Sequence, residues 1–283
     1  MKTFLMSLAL MCFSVFSVTA QSFPGKKPEL LLNKTVKPIV IDKDLREFSY
    51  ENFYLKLDTV TKSFSMDADN KPFHKGLPIG GQSDYEKLVG KNFKVISVDA
   101  LPYNNISGQK YAIKLQSDEL GTIYYDYSPE YETSFELEIV GGMDFPEGYY
   151  CDQITLNYDK FDKTSRFYTP VEAGIYFAKV KKNGKITYFI SVSTYSTSLI
   201  TNKKGLTVLF SDGTKFSKPT AYVSAKANST GYTYTTFEPL TIAEMTMFSK
   251  KLITDTKLYI YTDTVDTVSA KKEREYAKCI IKK

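Results

Sequence analysis

His74 is the only histidine among 283 residues, and tryptophan is absent. Those two facts remove much of the chemistry that side chains perform. A serine nucleophile ordinarily needs a histidine base. His74 lies in the loop-like, exposed stretch Asp69–Gly76, and no Gly-x-Ser-x-Gly turn occurs. Thiol catalysis would need Cys151 or Cys279 beside that same histidine, and one His with two distant Cys makes no zinc set. Asp67-Ala68-Asp69-Asn70-Lys71-Pro72 opens like a calcium loop, but Lys71 replaces the third oxygen ligand and Pro72 the glycine. Asp58-Thr59-Val60, Asp263-Thr264-Val265 and Asp266-Thr267-Val268 lack the glycine of an aspartic-protease triplet and read as Thr-rich strand ends. The sequence therefore assigns no catalytic residue, metal or cofactor. Hydrolysis by two carboxylates stays open, because it needs only acids roughly 5–10 Å apart across a cleft.

Tyrosine is the side chain in surplus, with 22 copies. Tyr124, Tyr125, Tyr127 and Tyr131 fall within nine residues together with Asp126, Glu130 and Glu132, and Tyr149-Tyr150 follows. Tyr rings stack on sugars or grip peptides while their hydroxyls bond, so these four are the candidate ligand-binding residues. Tyrosine is also a favoured strand residue, and the consecutive Tyr124 and Tyr125 must face opposite ways, which places at least one inside.

The elements that would position them are strands. Phe135, Leu137 and Ile139 alternate with Glu136 and Glu138; Tyr111, Ile113 and Leu115 alternate along 110–116; Phe53, Leu55 and Leu57 do so along 53–58. One apolar face and one polar face mark antiparallel sheets. Asn183-Gly184 supplies a type I′ hairpin turn between 175–180 and 186–192, and Ser211-Asp212-Gly213-Thr214 supplies a second turn. Only two helices are expected, each from a capping box: Ser83 with Glu86, and Thr241 with Glu244 running to about Lys250. Ala277, Cys279 and Ile281 alternate and read as a final strand. The fold class is mainly β, antiparallel and sandwich-like, with two short helices. Gly141–Gly148 is the best break, giving a signal peptide over 1–20, an extended lead over 21–37 and β domains over 38–146 and 147–283.

Met1-Lys2-Thr3, an apolar run over 4–18 and Val18-Thr19-Ala20 form a secretory leader, too short for a bilayer span. No later apolar stretch approaches a span, so no transmembrane segment is expected in the mature chain. In an exported protein Cys151 and Cys279 either pair or remain two buried thiols. Loss of Lys2 with the leader takes the net charge from +5 to +4, too little and too scattered for a nucleic-acid footprint. Many of the expected strands are shorter than the roughly 9–11 residues of an outer-membrane barrel wall, and lysines recur along them. The expectation is an exported binding or interaction protein without catalysis, periplasmic, cell-surface or extracellular, whose partner is a glycan or an envelope protein. A polysaccharide hydrolase and a structural component pairing through sheet edges are the competing readings.

Overall fold

The computed structural model describes residues 23–76 and 81–283. The expected leader, 1–20, lies outside the described residues. The chain divides after Met143 into two compact units, and both are built mainly of antiparallel β-strands.

The first unit contains β1 (Thr35–Pro38), β2 (Phe53–Tyr54), β3 (His74–Lys75), β4 (Gln82–Ser83), α1 (Tyr85–Leu88), β5 (Phe93–Ala100), β6 (Tyr111–Ser117), β7 (Gly121–Tyr127) and β8 (Leu137–Ile139). Six of the strands form one sheet in the order β2-β7-β6-β5-β1-β8, while β3 and β4 pair separately. Period-two alternation turns Phe93, Val95, Ile113, Leu115, Ile123, Phe135, Leu137 and Ile139 into one core. The end strands β2 and β8 do not share a ladder, yet their approaches meet. Glu136, just before β8, accepts hydrogen bonds from Glu51 N (2.9 Å), Asn52 N (3.1 Å) and Asn52 Nδ2 (3.2 Å), just before β2. A single carboxylate thus holds the seam of a rolled sheet and occupies donors that an open edge would leave unpaired.

Three expectations for this unit change. The 53–58 strand stops at Tyr54, because Leu55 N and Lys56 N bond Asn70 instead of continuing a ladder; Leu55 is exposed. Ser83 lies in β4 with its backbone bonded to Tyr50, so Asp84 caps α1 in its place, accepting from Glu86 N. His74 is half-buried in a strand, opposite Ser83, where an exposed loop was expected.

The second unit contains β9 (Thr155–Asp159), β10 (Thr164–Tyr168), β11 (Ile175–Lys182), β12 (Lys185–Ser196), β13 (Lys203–Phe210), β14 (Lys215–Ala227), β15 (Tyr232–Leu240), α2 (Ile242–Phe248), β16 (Ile253–Leu258), β17 (Tyr261–Thr264) and α3 (Thr267–Lys282). Its nine strands run β17-β16-β13-β14-β15-β12-β11-β10-β9. The sheet curls far enough for β12 to meet β16 and β17, although three strands separate β12 from β16 in the ladder. Asn183 and Gly184 both take positive φ, 50° and 76°, and join β11 to β12 in the type I′ geometry that an Asn-Gly pair favours. Thr241 and Glu244 complete their reciprocal cap on α2.

The expected final strand is a 16-residue helix, α3, and a third helix is therefore added to the two expected. Asp266, read from sequence as a strand end, accepts from Val268 N (2.9 Å) and Ser269 N (3.0 Å) and starts the helix. Ala270, Glu273, Ala277 and Ile280 recur at helical spacing and are buried; the alternation over 277–281 is incidental to that longer period. Cys279 on α3 is joined to Cys151 by a disulfide with the Cα atoms 4.9 Å apart. Lys179 and Lys181 on β11 reach the carbonyls of Ile281 (2.9 Å) and Lys283 (2.6 Å), placing cations at the negative end of the helix dipole.

Candidate functional site

The four candidate tyrosines do not form one surface. Strand β7 sends alternate side chains to opposite faces, so Tyr125 and Tyr127, each 1% exposed, belong to the core. Tyr125 packs 5.2 Å from Phe53 and 6.0 Å from Phe135, and its hydroxyl donates to Ser134 O (2.9 Å) while accepting from Glu136 N (2.8 Å). Tyr127 donates to Gly25 O at 2.7 Å. These hydroxyls find partners inside, as buried tyrosines require. Tyr131, beyond the strand, is 57% exposed. Tyr149 and Tyr150 belong to the second unit, where Tyr150 stands 5.4 Å from Tyr276 on α3.

Tyr124 alone leads to a site. It faces outward opposite Tyr54 of β2, and Phe64 lies 6.4 Å from it. Phe64 stacks on Tyr54 at 4.4 Å and 16°. Beside this stack runs a groove of about 320 Å³, lined by Tyr54, Phe64, Met66, Tyr103, Asn104, Ser107, Lys110 and Asp126 among others. The volume lies at the small end of the range for ligand pockets.

Two loops raise its walls, and each is stiffened by a side chain bonding its own backbone. Asp58 Oδ1 accepts from Val60 N and Thr61 N, both at 2.8 Å, which makes this triplet a turn and not the strand end expected. Asn104 Oδ1 accepts from Ile106 N (2.8 Å) and Ser107 N (3.1 Å), and Gly108, at φ +72°, closes the tip of the β5–β6 hairpin. Gln109 Nε2 ties the base of that hairpin through Leu101 O (2.7 Å) and Lys110 O (2.8 Å). Tyr103 stands on this stiff support, 69% exposed.

Three charged side chains line the groove, Lys62 from the 58–66 loop and the pair Lys110 and Asp126. Lys110 Nζ lies 2.7 Å from Asp126 Oδ2, with the Asp126 side chain 13% exposed. Asp126 Oδ1 is closed off from water and has no hydrogen-bond partner. Lys71 is buried close by, its ammonium 3.7 Å above the Tyr54 ring and donating to Glu51 O. Burial brings its pKa down to about 8, against the pull of Glu136, Glu51 and Asp126. Burial likewise raises Glu136 to about 7, outweighing the hydrogen bonds it accepts from Glu51 and Asn52. A carboxyl titrating there has the acidity of a general acid, but both oxygens of Glu136 are already bound to the 51–52 backbone. Tyr54 is pushed up to about 12, by burial first and then by Asp126, and stays protonated.

The other candidate chemistries resolve as follows. Cys151 and Cys279 are consumed by their disulfide. Asp58, Asp67 and Asp69 line a neighbouring bowl of about 480 Å³, yet among the described residues no three His, Cys, Asp or Glu side chains gather as a metal set. Also among the described residues, no helix is long and apolar enough to cross a membrane. In the second unit Glu273 is buried against Glu172; burial first, and then that neighbouring charge, raises its pKa well above the usual carboxyl range.

Tyr54, Phe64, Tyr103 and Lys110 are not singled out by the sequence, and Asp126 stands there only as a neighbour of the tyrosines, because the five come from four separate segments. The Asn104–Gly108 turn was the available signal, since Asn and Gly at that spacing mark a tight tip. No family model matches the chain, and neither do the curated proteins or the solved structures.

Proposed function

We propose that the chain is an exported binding protein without catalytic activity, and that its first unit takes its ligand in the groove between the 58–66 loop and the 101–110 hairpin. The observation that carries this reading is the pairing of exposed and stacked aromatics with one ion pair in a concave site of about 320 Å³. Stiff walls support it as well, because little ordering is left to be done on binding. The engagement of Glu136 with backbone amides weighs against its use as an acid. The leader over 1–20 supports export to the periplasm or cell surface. Partners of the expected kinds, a glycan or an envelope protein, suit such a groove.

The test is retention of the mature protein on envelope glycans and on envelope protein extracts. Tyr103→Ala is expected to lower retention about tenfold with an unchanged melting temperature, and Tyr131→Ala is expected to change neither. Equal retention by Tyr103→Ala would remove the groove from consideration.

One observation favours a second reading, a structural component that pairs by its edges. β9 ends the nine-stranded sheet with side chains exposed on both faces, Leu156 and Tyr158 among them. Such an edge accepts a further strand. Crosslinking that captures a partner at 155–159, and not at the groove, would favour it.

A further inference from the structure

The two ends of the nine-stranded sheet differ. The curl brings β17, at one end, against β12. β9, at the other end, pairs with β10 alone, from Thr155 to Asp159 and without a bulge. Its outward backbone groups therefore have no strand to bond among the described residues. An edge is ordinarily blunted by a lysine, a proline or a bulge, and β9 (Thr155-Leu156-Asn157-Tyr158-Asp159) carries none of them. Leu156 and Tyr158 point to the same face, and each is 58% exposed. This edge is also complementary to itself. Two copies set antiparallel about Asn157 place Leu156 opposite Tyr158 of the second copy, twice over, and Thr155 opposite Asp159 in the same way. Apolar then meets apolar on one face, while on the other a hydroxyl meets each carboxylate and no charge faces its like. The four apolar side chains continue the face of Phe167, the ladder partner of Leu156 on β10. A register one residue away sets Leu156 against Asp159 and forfeits the match.

We infer that β9 pairs with β9 of a second copy of this chain across a two-fold axis at Asn157, joining two nine-stranded sheets into one. This rests on the edge reading above and names its partner, and it does not draw on the groove. An edge of five residues makes a small interface, so the dimer is reversible and not obligate.

The experiment is analytical ultracentrifugation of the mature protein over a concentration series, with introduced cysteines to read the register. A monomer–dimer equilibrium is expected. Asn157→Cys should crosslink to its own mate on mild oxidation, because directly opposed residues have Cα atoms about 4.5–5.5 Å apart, inside disulfide range. Thr155→Cys should not, since the two copies of residue 155 would lie about 14 Å apart along the strands. The native cysteines are already paired and do not compete. Asn157→Lys sets two ammonium groups face to face and should weaken the dimer about tenfold. Asn157→Asp should do the same with two carboxylates, and mixing the two variants should restore association. Asn157 lies opposite Arg166 on β10, so the aspartate variant gains a favourable neighbour and keeps the test valid if Asn157→Lys fails to fold. A chain that stays monomeric up to about 1 mM overturns the inference. So does a dimer that neither charge variant weakens, or one that crosslinks Thr155→Cys as readily as Asn157→Cys. If the chain is monomeric but a different protein crosslinks at 155–159, the second copy is ruled out and the edge reading survives. If neither occurs, both fall.

Discussion

The two units solve one problem by different means. Each rolls an antiparallel sheet until distant parts meet, and each must hold the result shut. The first unit uses Glu136, which spans the seam between β2 and β8 with three hydrogen bonds. The second lays α3 against its sheet and fastens it covalently through Cys151–Cys279, across 128 residues of sequence. A crosslink acts mainly on the unfolded chain and is indifferent to pH in the folded one. A buried carboxylate acts in the native state and carries the cost of its own desolvation. The closure of the first unit should therefore respond to protons, and that of the second to reductant.

The strongest way to break that contrast is reduction. Removing the disulfide with a thiol, or by Cys151→Ala with Cys279→Ala, should cost the second unit about 4–5 kcal/mol in the chain-entropy model. Urea unfolding followed by probes in each unit checks this, and the first unit's midpoint should not move. A comparable shift of both units would mean that they do not unfold independently.

Next in size is Glu136→Ala, which strips the seam of three charge-assisted bonds. The expected loss is about 2–3 kcal/mol, confined to the first unit. Denaturant titration measures it, and an effect below about 0.5 kcal/mol would mean that water satisfies the 51–52 amides equally well.

The smallest effect sharpens the comparison most. Glu136 is raised from 4.5 to about 7 in the fold, so the native state holds its proton more tightly than the unfolded state does. Its share of stability is fullest below about pH 4.5 and is lost as the pH rises through about 7. Lys71 is lowered from 10.5 to about 8, so the native state releases its proton sooner, and stability returns between about pH 8 and 10.5. The first unit should thus show a shallow stability minimum near pH 7–8. Glu136→Gln should flatten the acid arm, and Lys71→Met the alkaline arm. Stability flat across that range in the wild type would contradict the assignment. Glu273 gives the second unit a falling arm of the same sign above about pH 4.5, which Glu273→Gln should remove while leaving the first unit's curve unchanged.

Local signals in the sequence reached far. Alternation along 135–139 identified three core residues, Asn183-Gly184 identified a turn, and Thr241 with Glu244 identified a cap. Each depends on atoms within a few residues of one another. The failures share the opposite character. Ala277, Cys279 and Ile281 satisfied a two-residue period over five positions, while the helical period of 270, 273, 277 and 280 carried a buried glutamate that disguised it. Ser83 had the composition of a helix cap but was claimed by the ladder to Tyr50.

What the sequence determined by itself was the class of the fold: strands dominate because side-chain alternation and turn chemistry are properties of adjacent residues. The choice among the tyrosines belonged to the tertiary structure. Tyr125 went to the core and Tyr103 to the rim because burial depends on which segments are packed alongside, and β2, β7, the 58–66 loop and the 101–110 hairpin lie far apart in the chain. The same holds for Glu136. Read along its strand it is one of two outward acids, and only the rolling of the sheet brings the amides of 51 and 52 within its reach.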